Sequence, residues 1–521
     1  MHPAGRWLFA GAAVAGLGYA GVSILADTAH VGESLAIGAF LFLGLALVIA
    51  LGFEFVNGFH DTANAVATVI YTNALLAPVA VLWSGVWNFI GVLCSSGAVA
   101  YSVITLLPVD LILHVGSGAG YAMIFALLGA AVIWNLGTWY VGLPNSSSHA
   151  LIGSILGVGL ANQLLSRVPG GTSGVEWGQA AKVLNGLWMA PLIGFGAAAV
   201  LLVAMKVLVR DPRLYREPDA GAPPPRGIRA MLILTCTSVS FAHGSNDGQK
   251  GMGLIMLILI GTAPTAYALN RTMPASATPA YVASADAAAA TLGAHGRSGG
   301  DVDAARATLT QALRVKQVAT AAVYGAAATV SRDVTGRIRS FGAISDVPAA
   351  ATPNLRTDMY LVLDTVARIG KTKPAGFTTA ELKSLDGYQT QLERSTRYIP
   401  LWVKVAVALA LGLGTTIGWR RIVVTVGEKI GKAHLSYGMG AAAEIVAAVT
   451  ILAADRFALP VSTTHILSSG VAGASVANGA GLQGRTVRNL ALAWVLTLPA
   501  AMALAGGLYW LLLTLVRAAG S

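Results

Sequence analysis

The sequence predicts an all-α, polytopic membrane protein made of two copies of one unit, the second carrying a helical insert. Three observations predict it. Only 11% of the 521 residues are charged and 55% are hydrophobic, with mean hydropathy +0.67, whereas an average soluble domain is about 25% charged. Apolar runs approaching or exceeding the roughly 20 residues of a membrane crossing recur near 7–26, 33–56, 77–107, 119–142, 183–209, 231–242, 252–269, 401–419, 436–454 and 488–516. Two unusual polar motifs interrupt these runs, and each occurs twice in the same order. Ten to twelve transmembrane segments are expected.

The first motif, NGFHDTANAVAT from Asn57 to Thr68, is repeated as HGSNDGQKG from His243 to Gly251. Superposing Asp247 on Asp61 pairs Gly244 with Gly58, Asn246 with His60 and Lys250 with Asn64. The second motif, PNSSSHALIG from Pro144, is repeated as PVSTTHILSSG from Pro460. Each copy has proline, one spacer, three hydroxyl residues and histidine. One element could be chance, but two elements repeated in order indicate a duplicated chain. Asp61 and Pro144 are 83 residues apart and Asp247 and Pro460 are 213 apart. A polar segment from about Arg271 to Tyr398 accounts for the difference.

In order, residues 1–30 read as an extra N-terminal transmembrane helix, with a secretory leader as the alternative. Residues 31–209 form the first repeat. Asn57-Gly58 should interrupt its helix, and Asp61-Thr62 looks like a new start, so 61–76, 144–162 and 460–478 read as half-helices or re-entrant pieces. Glu54, just before the break, either lines a cavity or ends a helix. Residues 210–230 are a linker; the basic stretch 206–229 is cytoplasmic by the positive-inside rule, as is 420–432. The second repeat starts over 231–270 and finishes over 399–521. If 401–419 crosses once, the insert 271–398 lies on the extracytoplasmic face. It contains helix-like stretches at 302–324, 356–370 and 378–397 and no catalytic cluster. Cys94 and Cys236 lie in apolar runs without metal spacing and read as packing residues. The net charge of +11 reflects loop bias, since no basic-aromatic nucleic-acid motif accompanies it.

An ionised aspartate in mid-membrane costs at least a few kcal/mol, so Asp61 and Asp247 are functional-site candidates. Helix capping is their structural alternative. Ser146, Ser147 and Ser148, and Ser462, Thr463 and Thr464, each open a short apolar segment. Helix N-termini attract anions, and three hydroxyl donors per copy suit a tetrahedral oxyanion; ordinary N-capping is the plainer role. Carboxylates would repel that anion, so the aspartates must hold a coupling cation or a proton. His149 and His465 suit proton relay or helix packing, and Glu444 is a second coupling candidate. Lys250 opposite Asn64 supplies one fixed positive charge, to neutralise substrate or Asp247, or to fill a space that sodium would need. A serine/histidine hydrolase needs one activated nucleophile and one base; a doubled set favours transport.

These motifs closely resemble the inorganic phosphate transporter (Pit) family, nearest its bacterial low-affinity, proton-coupled branch. The resemblance runs from about residue 40 to the C-terminus and includes GEKIGK and WVLTLPAA. It implies a multi-pass inner-membrane symporter, not an enzyme, with inverted-topology repeats around a midplane site. Asp61, Asn64, Asp247, Lys250 and the two hydroxyl triplets would bind substrate. Asp61, Asp247, His60, Asn246, Glu444, His149 and His465 would serve coupling. The partners implied are inorganic phosphate, membrane lipid and a co-transported proton, without a resident cofactor. A divalent metal travelling with phosphate would meet Asp61 and Asp247; a homodimer is allowed. Sodium-coupled relatives carry Asn-Asp-x-x-Asn in both halves. Here His60 replaces the leading Asn of the first copy and Lys250 the trailing Asn of the second, which favours protons over sodium.

Overall fold

The computed structural model describes residues 3–32, 36–107, 117–165, 174–218, 221–297 and 300–519. They are 81% helix with no strand. The helices before the insert are α1 (Pro3–His30), α2 (Ile37–Tyr71), α3 (Ala77–Cys94), α4 (Ala98–Ile104), α5 (Gly118–Tyr140), α6 (Ser147–Leu165), α7 (Trp177–Leu208) and α8 (Arg226–Thr262). The insert contributes α9 (Thr278–His295), α10 (Val302–Arg314), α11 (Ala321–Phe341), α12 (Thr352–Thr372) and α13 (Thr379–Thr396). The chain ends with α14 (Leu401–Thr415), α15 (Arg420–Glu428), α16 (Tyr437–Arg456), α17 (Thr463–Ala477) and α18 (Gly484–Ala519).

Eight of these helices are long and apolar enough to cross a membrane, or nine counting the bent pair α13–α14. That is fewer than ten to twelve. The polar motif of α8 lowers its hydropathy, and α17 has only 15 residues. Trp7, Leu82, Trp188, Leu192, Leu208 and Trp510 face outward, an apolar exterior that requires lipid.

Two expected breaks are absent. Helix α2 runs through Asn57, Gly58 and Asp61 without interruption to Tyr71, so most of the expected half-helix 61–76 is its continuation. Likewise 231–242 and 252–262 belong to the single helix α8, which ends at Thr262, short of the expected 269. The glycines serve approach, not fracture: a Cβ on Gly58 would overlap the Leu411 carbonyl of α14, and one on Gly244 would overlap the Asn88 carbonyl of α3. Small residues let membrane helices close to backbone contact. The breaks occur instead at 141–146 and 457–462, where α5 turns into α6 and α16 into α17. The segments that open at Pro144 and Pro460 are buried through Gly159 and Val471.

The halves pack reciprocally. Helix α3 lies on α8 and its counterpart α14 on α2; α6 lies on α18 and its counterpart α17 on α7. They also run in opposite senses. Arg229, opening α8, donates to the Ala74 carbonyl just beyond α2 at 2.8 Å, so α2 ends where α8 begins. Lys206 at the end of α7 reaches the Ala477 carbonyl ending α17, at 3.2 Å. At the other end, Tyr101 meets the Tyr398 carbonyl at 2.7 Å, and Glu176 pairs with Arg368 and Lys316 of the insert at 3.1 and 3.7 Å.

The insert is a helical bundle with its own core, including Tyr281, Leu309, Val334, Met359 and Tyr388. The expected stretch 302–324 is interrupted between α10 and α11, where Lys316 has φ +58°, and α9 is an addition. Thr378 and Glu381 form a capping box at α13. The Thr378 amide, then His295 and the Thr378 hydroxyl, hold the Glu381 carboxyl down to about 2.

Candidate functional site

The two acid motifs and both hydroxyl motifs meet at the centre. Asp61, Asp247, Lys250, His60 and Asn246 are all buried, as are Ser146 to Ser148 and Ser462 to Thr464. The side chain of Asn64 lies outside the described residues.

Each hydroxyl triplet divides its work in the same way. The first hydroxyl is a cap: Ser146 accepts from the His149 amide, and Ser462 from the His465 amide, both at 3.2 Å. The second serves its own half. Ser147 lies 3.0 Å from Asp61 Oδ2 and 2.7 Å from Asn57 Oδ1, while Thr463 lies 3.5 Å from Asp247 Oδ1. The third crosses over. Thr464 donates to Asp61 Oδ1 at 2.6 Å; Ser148 accepts from Lys250 at 2.5 Å and donates to the Val461 carbonyl at 2.8 Å. Duplication followed by inversion produces this pairing, because the hydroxyl-bearing start of each short helix faces both long helices.

Lys250 Nζ is 2.7 Å from Asp247 Oδ1, so the ammonium neutralises one of the two acids. His60 Nδ1 approaches Asp61 Oδ1 at 3.3 Å and its Nε2 approaches Thr138 at 3.5 Å. Asn246 clamps the turn ahead of α17, donating to the Leu459 carbonyl at 3.1 Å and accepting from the Val461 amide at 3.3 Å. The His149 and His465 rings lie against each other at a 40° tilt with centroids 4.5 Å apart. Glu444 is not in this cluster: it accepts from Thr235 at 2.5 Å, between α16 and α8.

Sequence reasoning did not single out His243. Its Nδ1 lies 2.8 Å from Asn88 Oδ1, an acceptor, so Nδ1 carries a hydrogen and Nε2 is left to face the acids. Nε2 stands 3.8 Å from Asp61 Oδ2 and 3.6 Å from Asp247 Oδ2. Neither His243 Nε2 nor Asp247 Oδ2 has a hydrogen-bond partner. Three acceptors from both halves thus converge within 4.8 Å of one another. Ser147 donates to Asp61 Oδ2, but His243 Nε2 and Asp247 Oδ2 face each other with no donor between them, an arrangement that a cation, either a proton or a metal ion, relieves. The available signal was spacing: His243 and Asn57 each precede their aspartate by four residues, on the same helix face.

Comparisons with known proteins find relatives along most of the chain. The phosphate transporter family model matches residues 57–505. The low-affinity inorganic phosphate transporters PitA and PitB of Escherichia coli K12 are 41% and 40% identical to this chain. They align over 90% and 93% of it and over 96% and 100% of their own lengths. A probable low-affinity inorganic phosphate transporter of Bacillus subtilis is 27% identical over 90% of this chain and 96% of its own. Among solved structures, a sodium-dependent phosphate transporter matches with a TM-score of 0.49 at 18% identity, covering 91% of this chain and 99% of its own.

Proposed function

The chain belongs to the phosphate transporter family, a family of multi-pass membrane proteins, and from that premise we propose that it imports inorganic phosphate by proton symport. The phosphate travels with a divalent metal, and the site between the inverted halves opens to each side of the membrane in turn. The convergence of Asp61 Oδ2, His243 Nε2 and Asp247 Oδ2 carries this reading. A divalent ion there satisfies all three acceptors and presents its remaining positions to a phosphate oxygen. Hard and borderline cations accept carboxylate and imidazole together.

The second and third hydroxyls of both triplets now bond the acids and Lys250 directly. On cargo binding, the metal takes over the carboxylates, and Ser147, Ser148, Thr463 and Thr464 turn their hydrogens to phosphate oxygens. Lys250 supplies the fixed positive charge. Its ammonium lies against Asp247 and Ser148, where a sodium ion would need oxygen ligands, and this supports protons over sodium. The basic loops would face the cytoplasm and the insert the outside, since α2 ends and α8 begins at the loop carrying Arg226 and Arg229.

Purified protein in proteoliposomes tests the reading with labelled phosphate, an imposed inward pH gradient and added divalent metal. Sodium-free accumulation is expected, and its loss by at least tenfold in Asp61→Asn and Asp247→Asn with reconstitution unchanged. Strict dependence on sodium, or undiminished accumulation in both variants, would overturn it.

A further inference from the structure

We propose that the cavity between the helical insert and the outer ends of the transport helices is an anion vestibule, in which Lys182 and Lys371 gather phosphate on the extracytoplasmic side before it reaches the central site. This deepens the phosphate-import reading given above and rests on it. The cavity encloses about 530 Å³. One wall is α4 with the start of α7, and the other is α12 and α13 of the insert. It extends inward as far as Ala458, in the turn between α16 and α17.

Charge decides what this space can hold. Three carboxylates line it, and each is already paired. Glu176 meets Arg368 at 3.1 Å and Lys316 at 3.7 Å, Asp364 meets Arg368 at 3.2 Å, and Glu393 meets Arg397 at 3.0 Å. The pairs of Glu176 tie α7 to the insert, so they act as struts. Lys182 and Lys371 also line the cavity and are exposed, and among the described residues neither has an acidic partner. Five bases against three acids leave two positive charges uncompensated. A cleft of one sign between low-dielectric walls concentrates ions of the other. With every lining carboxylate committed to a base, nothing there recruits a divalent cation. Phosphate therefore enters as the free anion and meets its metal deeper, at Asp61, His243 and Asp247.

Position links the cavity to the site. Lys182 lies one helical turn before Gly186, where a Cβ would meet the Leu459 side chain at 3.8 Å. The Leu459 carbonyl is the group that Asn246 holds at 3.1 Å, next to Asp247, and Ala458 stands four residues ahead of the cap Ser462. The inner end of the cavity thus includes the turn that places the second hydroxyl triplet. Lys182 is also out of place by the positive-inside rule, which disfavours lysine at the extracytoplasmic end of a membrane helix. Recruiting an anion gives it a function there. Lys371 comes from α12, a helix of the insert rather than of the membrane, so the two charges are brought to one space by the docking of the insert.

Phosphate uptake by the full-length protein in energised right-side-out vesicles tests this, with initial rates measured against external phosphate at low ionic strength. Removing both charges, Lys182→Gln with Lys371→Gln, is expected to raise KM for phosphate about three- to tenfold, with the maximal rate and the half-maximal metal concentration within about twofold of wild type. At about 0.5 M salt the difference should close, because screening then confines each charge to a few ångströms. Lys182→Arg with Lys371→Arg should keep KM near wild type. An unchanged KM in the double glutamine variant would overturn the proposal. So would a fallen maximal rate with KM unmoved, or a KM shift that salt leaves intact, either of which marks damage to the packing of insert on core. Wild-type vesicles that take up no phosphate would overturn the import reading itself, and the vestibule with it.

Discussion

His243 is the residue on which the metal part of the account turns. Asn88 fixes its tautomer from outside the cluster, and outer partners of this kind orient a ligating imidazole. His243→Gln is therefore expected to raise the divalent-metal concentration for half-maximal phosphate uptake by about tenfold or more, which metal-titrated uptake would measure. An unchanged metal dependence would remove His243 from the ligand set. At this scale the aspartates, the hydroxyl triplets and Lys250 were legible in the sequence, because polar residues in apolar runs stand out. His243 and Asn57 were not, because recognising them requires knowing that the helix continues through the motif and puts i−4 on the same face. Glu444 had the same sequence signal as the true cluster members. Only three-dimensional packing shows that it faces Thr235 instead.

Among the elements, the long motif helices were misread, while the helix starts just after Pro144 and Pro460 were legible. Asn-Gly ahead of an aspartate ordinarily announces a break. Here the helix persists because its polar side chains find partners across the bundle, so no backbone group need be freed, and Gly58 permits contact with α14. This gives a graded expectation. Gly58→Ala forces a Cβ into the Leu411 carbonyl and should destabilise the protein by about 1–3 kcal/mol, the usual cost of overpacking. Gly52→Ala, six residues earlier on the same helix with nothing within 4 Å, should be neutral or stabilising by up to about 1 kcal/mol. Thermal unfolding in detergent would read both. Equal effects would show that helix propensity, not the crossing, sets the need for glycine at 58. In the two short helices α6 and α17, proline and a hydroxyl cap mark a helix start in any environment, and Ser146 and Ser462 are such caps.

For the whole molecule, the duplication was legible as two motifs in a fixed order, and so was the insert that separates them. Inversion was not legible in the residues alone, because sequence carries order without direction; it follows from the meeting of α2's end with α8's start. Inversion makes each half complete the other: Thr464 of the second half bonds Asp61 of the first, and Ser148 of the first bonds Lys250 of the second. The central claim is that neither half holds cargo alone. An anomalous-scattering map from crystals grown with manganese and phosphate tests it most directly. The account predicts one manganese peak per chain, in contact with Asp61, His243 and Asp247, with phosphate density against Ser147, Ser148, Thr463 and Thr464. Two peaks, one in each half, or a single peak away from these three side chains would contradict it.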